Sequence, residues 1–291
     1  MEQRNTDTGK HFDVIPAALT IAGSDSGGGA GIQADLRTFT AHGVFGCSVI
    51  TAVTAQNPLA VTDVEPVSPE VVSAQLRAVF AALDIRAVKT GMLFSAEIID
   101  VVADELEKRD SAVPLVVDPV MISTSGSKLL KDDALALLQT RILPIADWIT
   151  PNMPEAEMLS GRKITDRTSA VAAAELIAAR WNVGVILKGG HAEGEQESAD
   201  IICVGEKRFK LSSPRLALPP LTSHGTGCTF SAALAANLAK GMAFSDALCR
   251  AKAFVFGSLA EAKCIGRGNL CGMFPPQDAA SYLKMISIGT V

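Results

Sequence analysis

Residues 19–35 read Leu19-Thr20-Ile21-Ala22-Gly23-Ser24-Asp25-Ser26-Gly27-Gly28-Gly29-Ala30-Gly31-Ile32-Gln33-Ala34-Asp35. The stretch changes character twice. Residues 18–22 form a mostly apolar run broken only by Thr20, which suits a strand covered on both faces. A run of glycine and small polar residues follows, and 30–41 then takes up a helical period. A strand, a glycine-rich turn and a helix make the first half of a β-α-β unit.

The rest of the chain repeats that alternation. Strands are expected over 44–53, 85–89, 115–118, 148–150 and 183–187. Helices are expected over 69–83, with Pro69 at the start, and over 95–109, opened by a Ser95 cap with Glu97 in the first turn. Further helices are expected over 169–179, 227–240 and 245–262. Residues 199–204 and 207–211 flank Gly205-Glu206 and read as a hairpin. The pattern predicts an α/β fold with a mostly parallel central sheet and helices on both faces. No repeat of 20–50 residues and no low-complexity linker appears, so residues 13–291 are expected to form one domain behind a polar tail at 1–12.

Composition agrees. Of 291 residues, 48% are apolar and 20% charged, enough for a large core, while aromatics are only 5%, as expected where Ala-rich helices cover apolar strands. Mean hydropathy is +0.28, but no stretch reaches the roughly 18 apolar residues of a membrane span, and residues 1–12 lack a signal-peptide core. The net charge of −5 has no basic cluster larger than sites such as Lys207-Arg208, so neither a nucleic-acid nor a membrane partner is expected. The six cysteines, at 47, 203, 228, 249, 264 and 271, form no C-x-x-C pair. Reduced thiols in the cytoplasm are therefore expected.

In open α/β sheets, ligands bind beyond the carboxyl ends of the strands. Five predicted strand ends carry polar or glycine-rich residues: Gly23-Ser24-Asp25, Gln56-Asn57, Lys89-Thr90-Gly91, Asp118-Pro119 and Lys188-Gly189-Gly190. They are expected to share one rim.

Two local motifs each admit two readings. His224-Gly225-Thr226-Gly227-Cys228-Thr229 directly precedes a helix. Glycines there bring backbone N–H groups and the positive end of the helix dipole to an anion, or they simply start a helix with Cys228 as small packing. Asp118, Asn152 and Glu155 suit a Mg²⁺ ion held through waters beside phosphates. Asn152 and Glu155 equally suit a helix cap, the simpler reading on spacing alone. Lys188 and Lys252 could reach a polyphosphate or be solvated. No H-x-x-x-H pair supports a metal site.

Other matches are weaker. Gly29-Ala30-Gly31-Ile32-Gln33-Ala34 fits G-x-G-x-x-A, but the acidic residue wanted about 20 positions on is missing from 51–57. No Walker-type phosphate loop occurs. Ser125-Gly126-Ser127-Lys128 and Lys89-Thr90-Gly91 match β-lactamase motifs in the wrong order, without the third, and are chance.

The 19–35 stretch resembles the N-terminal signature of the hydroxymethylpyrimidine/phosphomethylpyrimidine kinase family, part of the ribokinase-like superfamily. The resemblance continues through Thr54-Ala55-Gln56-Asn57, Lys89-Thr90-Gly91-Met92, Val117-Asp118-Pro119-Val120-Met121, Thr150-Pro151-Asn152 with Glu155, Leu187-Lys188-Gly189-Gly190-His191 and Gly225-Thr226-Gly227-Cys228. It covers roughly residues 18–262 and implies a ribokinase-like fold. It implies ATP-dependent phosphorylation of 4-amino-5-hydroxymethyl-2-methylpyrimidine and then of its monophosphate, giving the diphosphate for thiamine biosynthesis.

The resemblance also implies roles. Gly23, Asp35, Gln56 and Met92 belong to the pyrimidine site, where an amide can donate and accept at once. Asp118 and Glu155 belong to the Mg²⁺ region. Lys188, Thr226 and Lys252 contact ATP phosphates, and Gly225, Gly227, Cys228 and Lys188 serve the transfer itself. Related sugar kinases end the glycine motif in Asp, a base for the acceptor hydroxyl. Here Cys228 stands in its place, and the helix terminus is expected to lower its pKa. The resemblance further implies a homodimer, Mg²⁺ and a possible monovalent cation; the residues outside the match are too few for a further thiamine-phosphate synthase domain, and none is expected. Two alternatives remain: a pyridoxal or pyridoxine kinase of the same superfamily, and a non-catalytic nucleotide-binding regulator.

Overall fold

The computed structural model describes residues 13–121, 132–189, 196–267 and 270–291. The 1–12 tail, the Ser125-to-Lys128 motif and Gly190-His191 lie outside the described residues.

The chain opens with strand β1 (Ala17–Asp25), helix α1 (Gly31–Ala41), β2 (Phe45–Asn57), β3 (Ala60–Pro66), α2 (Pro69–Ala82), β4 (Ile85–Thr90), α3 (Ala96–Leu106) and β5 (Leu115–Val117). It continues with α4 (Asp132–Leu137), β6 (Trp148–Ile149), α5 (Met153–Ser160), α6 (Arg167–Trp181), β7 (Gly184–Leu187), β8 (Glu197–Val204) and β9 (Lys207–Pro214). Helices α7 (Thr226–Ala239) and α8 (Phe244–Ala260) follow, then the short strands β10 (Lys263–Cys264), β11 (Cys271–Gly272) and β12 (Ser287–Gly289).

Ten strands form one sheet in the order β12-β9-β8-β7-β6-β5-β4-β1-β2-β3. The six from β7 to β2 run parallel. The flanking strands at both edges pair antiparallel, β3 on β2 at one edge and, at the other, β8 on β7, β9 on β8 and β12 on β9. The predicted hairpin across Gly205-Glu206 is the β8–β9 pair. The mostly parallel sheet with two helical layers therefore stands as expected.

Burial explains the layers. Along β1, Leu19 and Ile21 face one apolar cluster with α2 and α3, while Ala18 faces a second cluster with α1, α7 and α8. The same alternation splits β5, with Leu115 and Val117 on one side and Val116 on the other. Successive side chains of a strand point to opposite faces, so a strand covered twice is apolar at most positions. Helix α7 is buried nearly all round and is correspondingly rich in alanine and other small residues. Among the described residues, no helix is long and apolar enough to cross a membrane.

Local signals behave as their chemistry dictates. Ser68 caps α2 ahead of Pro69, and Ser95 caps α3 ahead of Glu97. Of the elements sequence reading missed, α4 contributes the buried Ala134 to the core, whereas β3 and β12 lie at the periphery. β3 is a mostly exposed edge strand, Ala-Val-Thr-Asp-Val-Glu-Pro, whose charges break the apolar pattern. β12 is three residues long and gains its identity only by pairing with β9. β2 runs four residues past its expected end, to Asn57.

Topology then places the site. From β1 the chain moves outward through β2 and β3, then returns to β4 on the other side of β1. The order reverses between β1 and β4, and a crevice opens at such a switch point beyond the carboxyl ends of the strands.

Candidate active site

A cavity of about 600 Å³ lies at those strand ends, within the roughly 300–1,000 Å³ of small-molecule sites. All five strand ends singled out in the sequence contribute, through Gly23 to Asp25, Gln56 and Asn57, Lys89, Asp118 and Lys188. Each ends a parallel strand of the central sheet, so parallelism itself brings them to one rim.

The first wall is built by β1 and β2. β1 slips register against β2 between Ala22 and Ser24, at Gly23. A side chain at Gly23 would strike the terminal methyl of Met92, so this glycine lets Met92 close the wall. Gln56 accepts a hydrogen bond from the Thr54 hydroxyl at 3.2 Å, and its Nε2 lies 3.5 Å from His224 Nε2. Asp25 holds the glycine loop: its carboxylate accepts from the N–H groups of Gly27 and Ala30, each at 2.8 Å, and meets His224 Nε2 at 3.2 Å. Burial works to raise the Asp25 pKa, but His224 and the two N–H donors outweigh it and hold the carboxyl below its ordinary range.

The second wall is the start of α7. Gly225 is its N-cap residue with φ of 83°, and a side chain there would run into the Gly29 carbonyl oxygen. Conformation and contact both demand glycine. The two glycine loops thus interlock, with His224 lying against Gly29. A side chain on Gly227 would come within 3.1 Å of Lys188 Nζ. Bare backbone at the helix start therefore faces an ammonium, an arrangement suited to an anion. Thr226 lines the same opening. We expect Gly225→Ala to lose most activity and to lower stability by about 1–3 kcal/mol, measured by urea unfolding and steady-state rates; wild-type values in both would refute the interlock.

Lys188 and the two acids meet at the floor. Lys188 Nζ donates to Asp118 Oδ1 at 2.8 Å, and Asp118 also accepts from Thr150 at 3.2 Å and Ser231 at 3.3 Å. Burial opposes the Lys188 charge, but Asp118 and Glu155 more than compensate, so the ammonium is held above the ordinary lysine value. Glu155 and Asn152 form a full capping box on α5, and Glu155 also accepts from the Met121 N–H at 3.2 Å. The capping reading is thus borne out, yet the same carboxylate lines the cavity. Burial pushes its pKa up against the pull of Lys188, and Asp118 adds to the rise.

Lys252 reaches the cavity from α8, with Nζ 2.8 Å from Asp200 and 3.2 Å from Ser198. Asp200 also accepts from the Gly189 N–H at 3.1 Å. Val255, Phe256 and Leu259 of the same helix add an apolar surface.

Two expectations need correction. Asp35 does not line the cavity. It is fully buried on α1, where Oδ2 accepts from Thr20 at 2.6 Å and from Lys89 Nζ at 2.8 Å. Lys89, which the sequence offered as a strand-end residue with no assigned role, lines the cavity instead with Asp35 as its counter-ion. Burial opposes both charges. Asp35 holds Lys89 well above the lysine range, and two donors into one Asp35 oxygen fit an ionised pair, although burial also pushes Asp35 upward. Cys228, half-buried at the start of α7, does not have a lowered pKa. Burial pushes its thiol up to about 11, helped by Asp35 and Asp118, against the pull of Lys89 and of a hydrogen bond from the Gly31 N–H.

Asp25, His224 and Lys89 were missed as a group because each looks like an ordinary turn or strand residue until the two loops and β4 are brought together. The one available signal was the position of Asp25 and Lys89 at predicted strand ends.

Among the described residues, no group of three or more His, Cys, Asp or Glu is placed to hold a metal. Asp118 and Glu155, beside Lys188 and the bare start of α7, suit a cation that takes its other ligands from phosphate oxygens and water.

A profile of the family described as phosphomethylpyrimidine kinase matches residues 25–272. The hydroxymethylpyrimidine/phosphomethylpyrimidine kinase of Rhizobium meliloti is 49% identical over 255 residues, 87% of this chain and 94% of that protein. That of Bacillus subtilis is 43% identical, over 88% and 93% respectively. Among solved structures, the pyridoxal kinase of Staphylococcus aureus in complex with pyridoxal superposes with a TM-score of 0.83 at 31% identity, over 96% of this chain and all of that one. The phosphomethylpyrimidine kinase of Clostridium difficile 630 gives 0.73 at 41% identity, over 83% and 98%.

Proposed function

The chain belongs to the phosphomethylpyrimidine kinase family, and from that premise we propose how its site carries out two successive phosphoryl transfers. The protein is a kinase of thiamine biosynthesis that phosphorylates the hydroxymethylpyrimidine and then its monophosphate. The observation that carries the assignment of roles is the convergence of Gln56, Met92, Lys188 and the start of α7 on one cavity.

Gln56 and the backbone at Gly23 recognise the aminopyrimidine, the amide donating to a ring nitrogen or accepting from the exocyclic amine. Met92 packs on the ring. The hydroxymethyl group then points toward the start of α7, where Cys228 and the bare Gly227 backbone lie. Lys188 and the N–H groups at that helix start neutralise charge on the phosphoryl group in flight, the main requirement of this reaction. Thr226 and Lys252 hold the remaining phosphates of ATP, and the apolar surface of α8 receives its base. Asp35 acts through Lys89 rather than on substrate. Asp118 and Glu155 would hold Mg²⁺, directly or through water, and the ion would supply positive charge to offset that of the phosphates.

We further assign residues 13–291 to a single domain, working as a homodimer in the cytoplasm without nucleic-acid or membrane partners. The absence of a large basic cluster in the sequence and the family resemblance support these assignments.

The assignment is tested with purified protein, Mg–ATP and a panel of the hydroxymethylpyrimidine, its monophosphate, pyridoxal and a sugar, with products identified by mass. Mono- and diphosphate of the pyrimidine are expected. Turnover of pyridoxal without turnover of the pyrimidine would overturn the assignment in favour of the vitamin B6 kinases that share the fold.

Two variants probe the separate ends of the site. Gln56→Leu keeps shape but leaves ligand polar groups unpaired, a loss of about 1–3 kcal/mol in pyrimidine binding. The pyrimidine KM should rise about 5- to 150-fold with the ATP KM little changed; equal weakening of both would assign Gln56 a structural role. Asp118→Asn removes one charge beside Lys188. Activity should fall and the Mg²⁺ concentration for half-maximal rate should rise. An unchanged Mg²⁺ titration and rate would leave Asp118 as a partner of Lys188, Thr150 and Ser231 only.

A further inference from the structure

After α8 the chain turns back on itself through β10 and β11, which pair antiparallel with Cys264 directly opposite Cys271. The next rung is closed by a hydrogen bond from the Ile265 N–H to the Leu270 carbonyl at 2.9 Å. Cys264 and Cys271 therefore occupy a non-hydrogen-bonded pair, where opposed Cα atoms lie about 4.5 Å apart and side chains approach most closely. That spacing falls within the roughly 4.4–6.8 Å that a disulfide spans. The two sulfurs are already in contact at 3.0 Å. Cys264 is exposed, whereas Cys271 is only 8% exposed beneath it. The remaining cysteines sit elsewhere: Cys47 and Cys203 in the sheet core, Cys228 in the cavity and Cys249 on α8.

We propose that Cys264 and Cys271 form a reversible dithiol–disulfide site, oxidised by a low-molecular-weight disulfide of the glutathione type. The exposed Cys264 thiolate attacks the external disulfide, breaking its S–S bond and releasing one glutathione thiolate. Cys271 then attacks the Cys264 sulfur of the mixed disulfide and releases the second. Two electrons pass from the protein sulfurs to the external disulfide, and the two thiol protons end on the two glutathione molecules. The division of labour follows from exposure: one sulfur can be reached from solvent, and the other resolves from within.

The bond would close the base of the hairpin that turns the chain back along α8. Beyond it, the Phe274 N–H donates to the Ser258 carbonyl at 3.3 Å and the Tyr282 hydroxyl to Glu261 at 3.1 Å. A closed hairpin fastens this returning segment to the helix that carries Val255, Phe256 and Leu259 into the cavity.

The test uses the full chain incubated with excess oxidised glutathione, alkylated without reduction and digested with trypsin. Lys263, Arg267 and Lys284 separate peptides 264–267 and 268–284. The expected product is these two peptides joined, and separated by a reductant. Their recovery apart, with Cys271 alkylated or Cys264 carrying a stable glutathione adduct, would overturn the proposal. Cys271→Ser lacks the resolving thiol and should accumulate that adduct at Cys264. Wild type behaving like Cys271→Ser would equally refute the resolving step.

Discussion

Cys228→Ala is expected to slow phosphorylation of the free pyrimidine by about 10²–10⁴-fold while slowing phosphorylation of the monophosphate far less. The range is the usual contribution of a general base. The two acceptors differ in what they ask of one. The first is an alcohol, whose proton must leave as the O–P bond forms. The second is a phosphate oxygen that is largely ionised above a second pKa of about 6. With the Cys228 thiol at about 11, its thiolate fraction climbs tenfold per pH unit through neutrality. The first step in wild type should therefore accelerate as pH rises from 7 to 9, and the second should stay nearly flat. Single-turnover rates at saturating acceptor measure both. Equal losses in the two steps, with parallel pH profiles, would reject the base role and leave Cys228 as part of the anion-binding loop alone.

Lys89→Met is expected to destabilise the protein by about 3–5 kcal/mol. Lys89 and Asp35 are both fully buried and joined at 2.8 Å. Removing one partner leaves an uncompensated charge in the interior, and the loss comes from that charge rather than from the pair's own strength. The double variant Lys89→Met, Asp35→Leu removes both charges and should recover most of the loss. Urea unfolding of the two variants and wild type measures the coupling. Additive losses would mean that the pair is not ionised. The recovered double variant removes from around Cys228 both the ammonium that draws its pKa down and the Asp35 carboxylate that pushes it up.

The architecture was largely legible because it rests on local patterns. Apolar runs such as 115–117 and the Ser95 and Asn152 caps are written in adjacent residues, and β5, α3 and α5 formed where they were expected. The elements that escaped depend on distant partners. β3 is polar on an exposed edge, and β12 exists because β9 offers an unpaired edge. In the site, Gln56, Lys188 and the Gly225 loop could be singled out because strand ends and helix starts are readable positions. The Asp25–His224 contact joins residues 199 positions apart, and no spacing rule reaches that far.

Asp35 and Cys228 mark the same boundary from the other side. Residue type and position gave both a polar, reactive appearance. Burial and neighbours then made Asp35 the hidden counter-ion of Lys89 and raised the Cys228 thiol. Backbone periodicity, capping and glycine placement act over a few residues, so the order of elements, the parallel character of the sheet and the rim that holds the site follow from the chain alone. Desolvation and charge pairing depend on every group packed nearby, whatever its place in the chain. Which ammonium meets which carboxylate, and on which atom a proton rests, was therefore settled only when α1, α7, β4 and β5 closed around the same few ångströms.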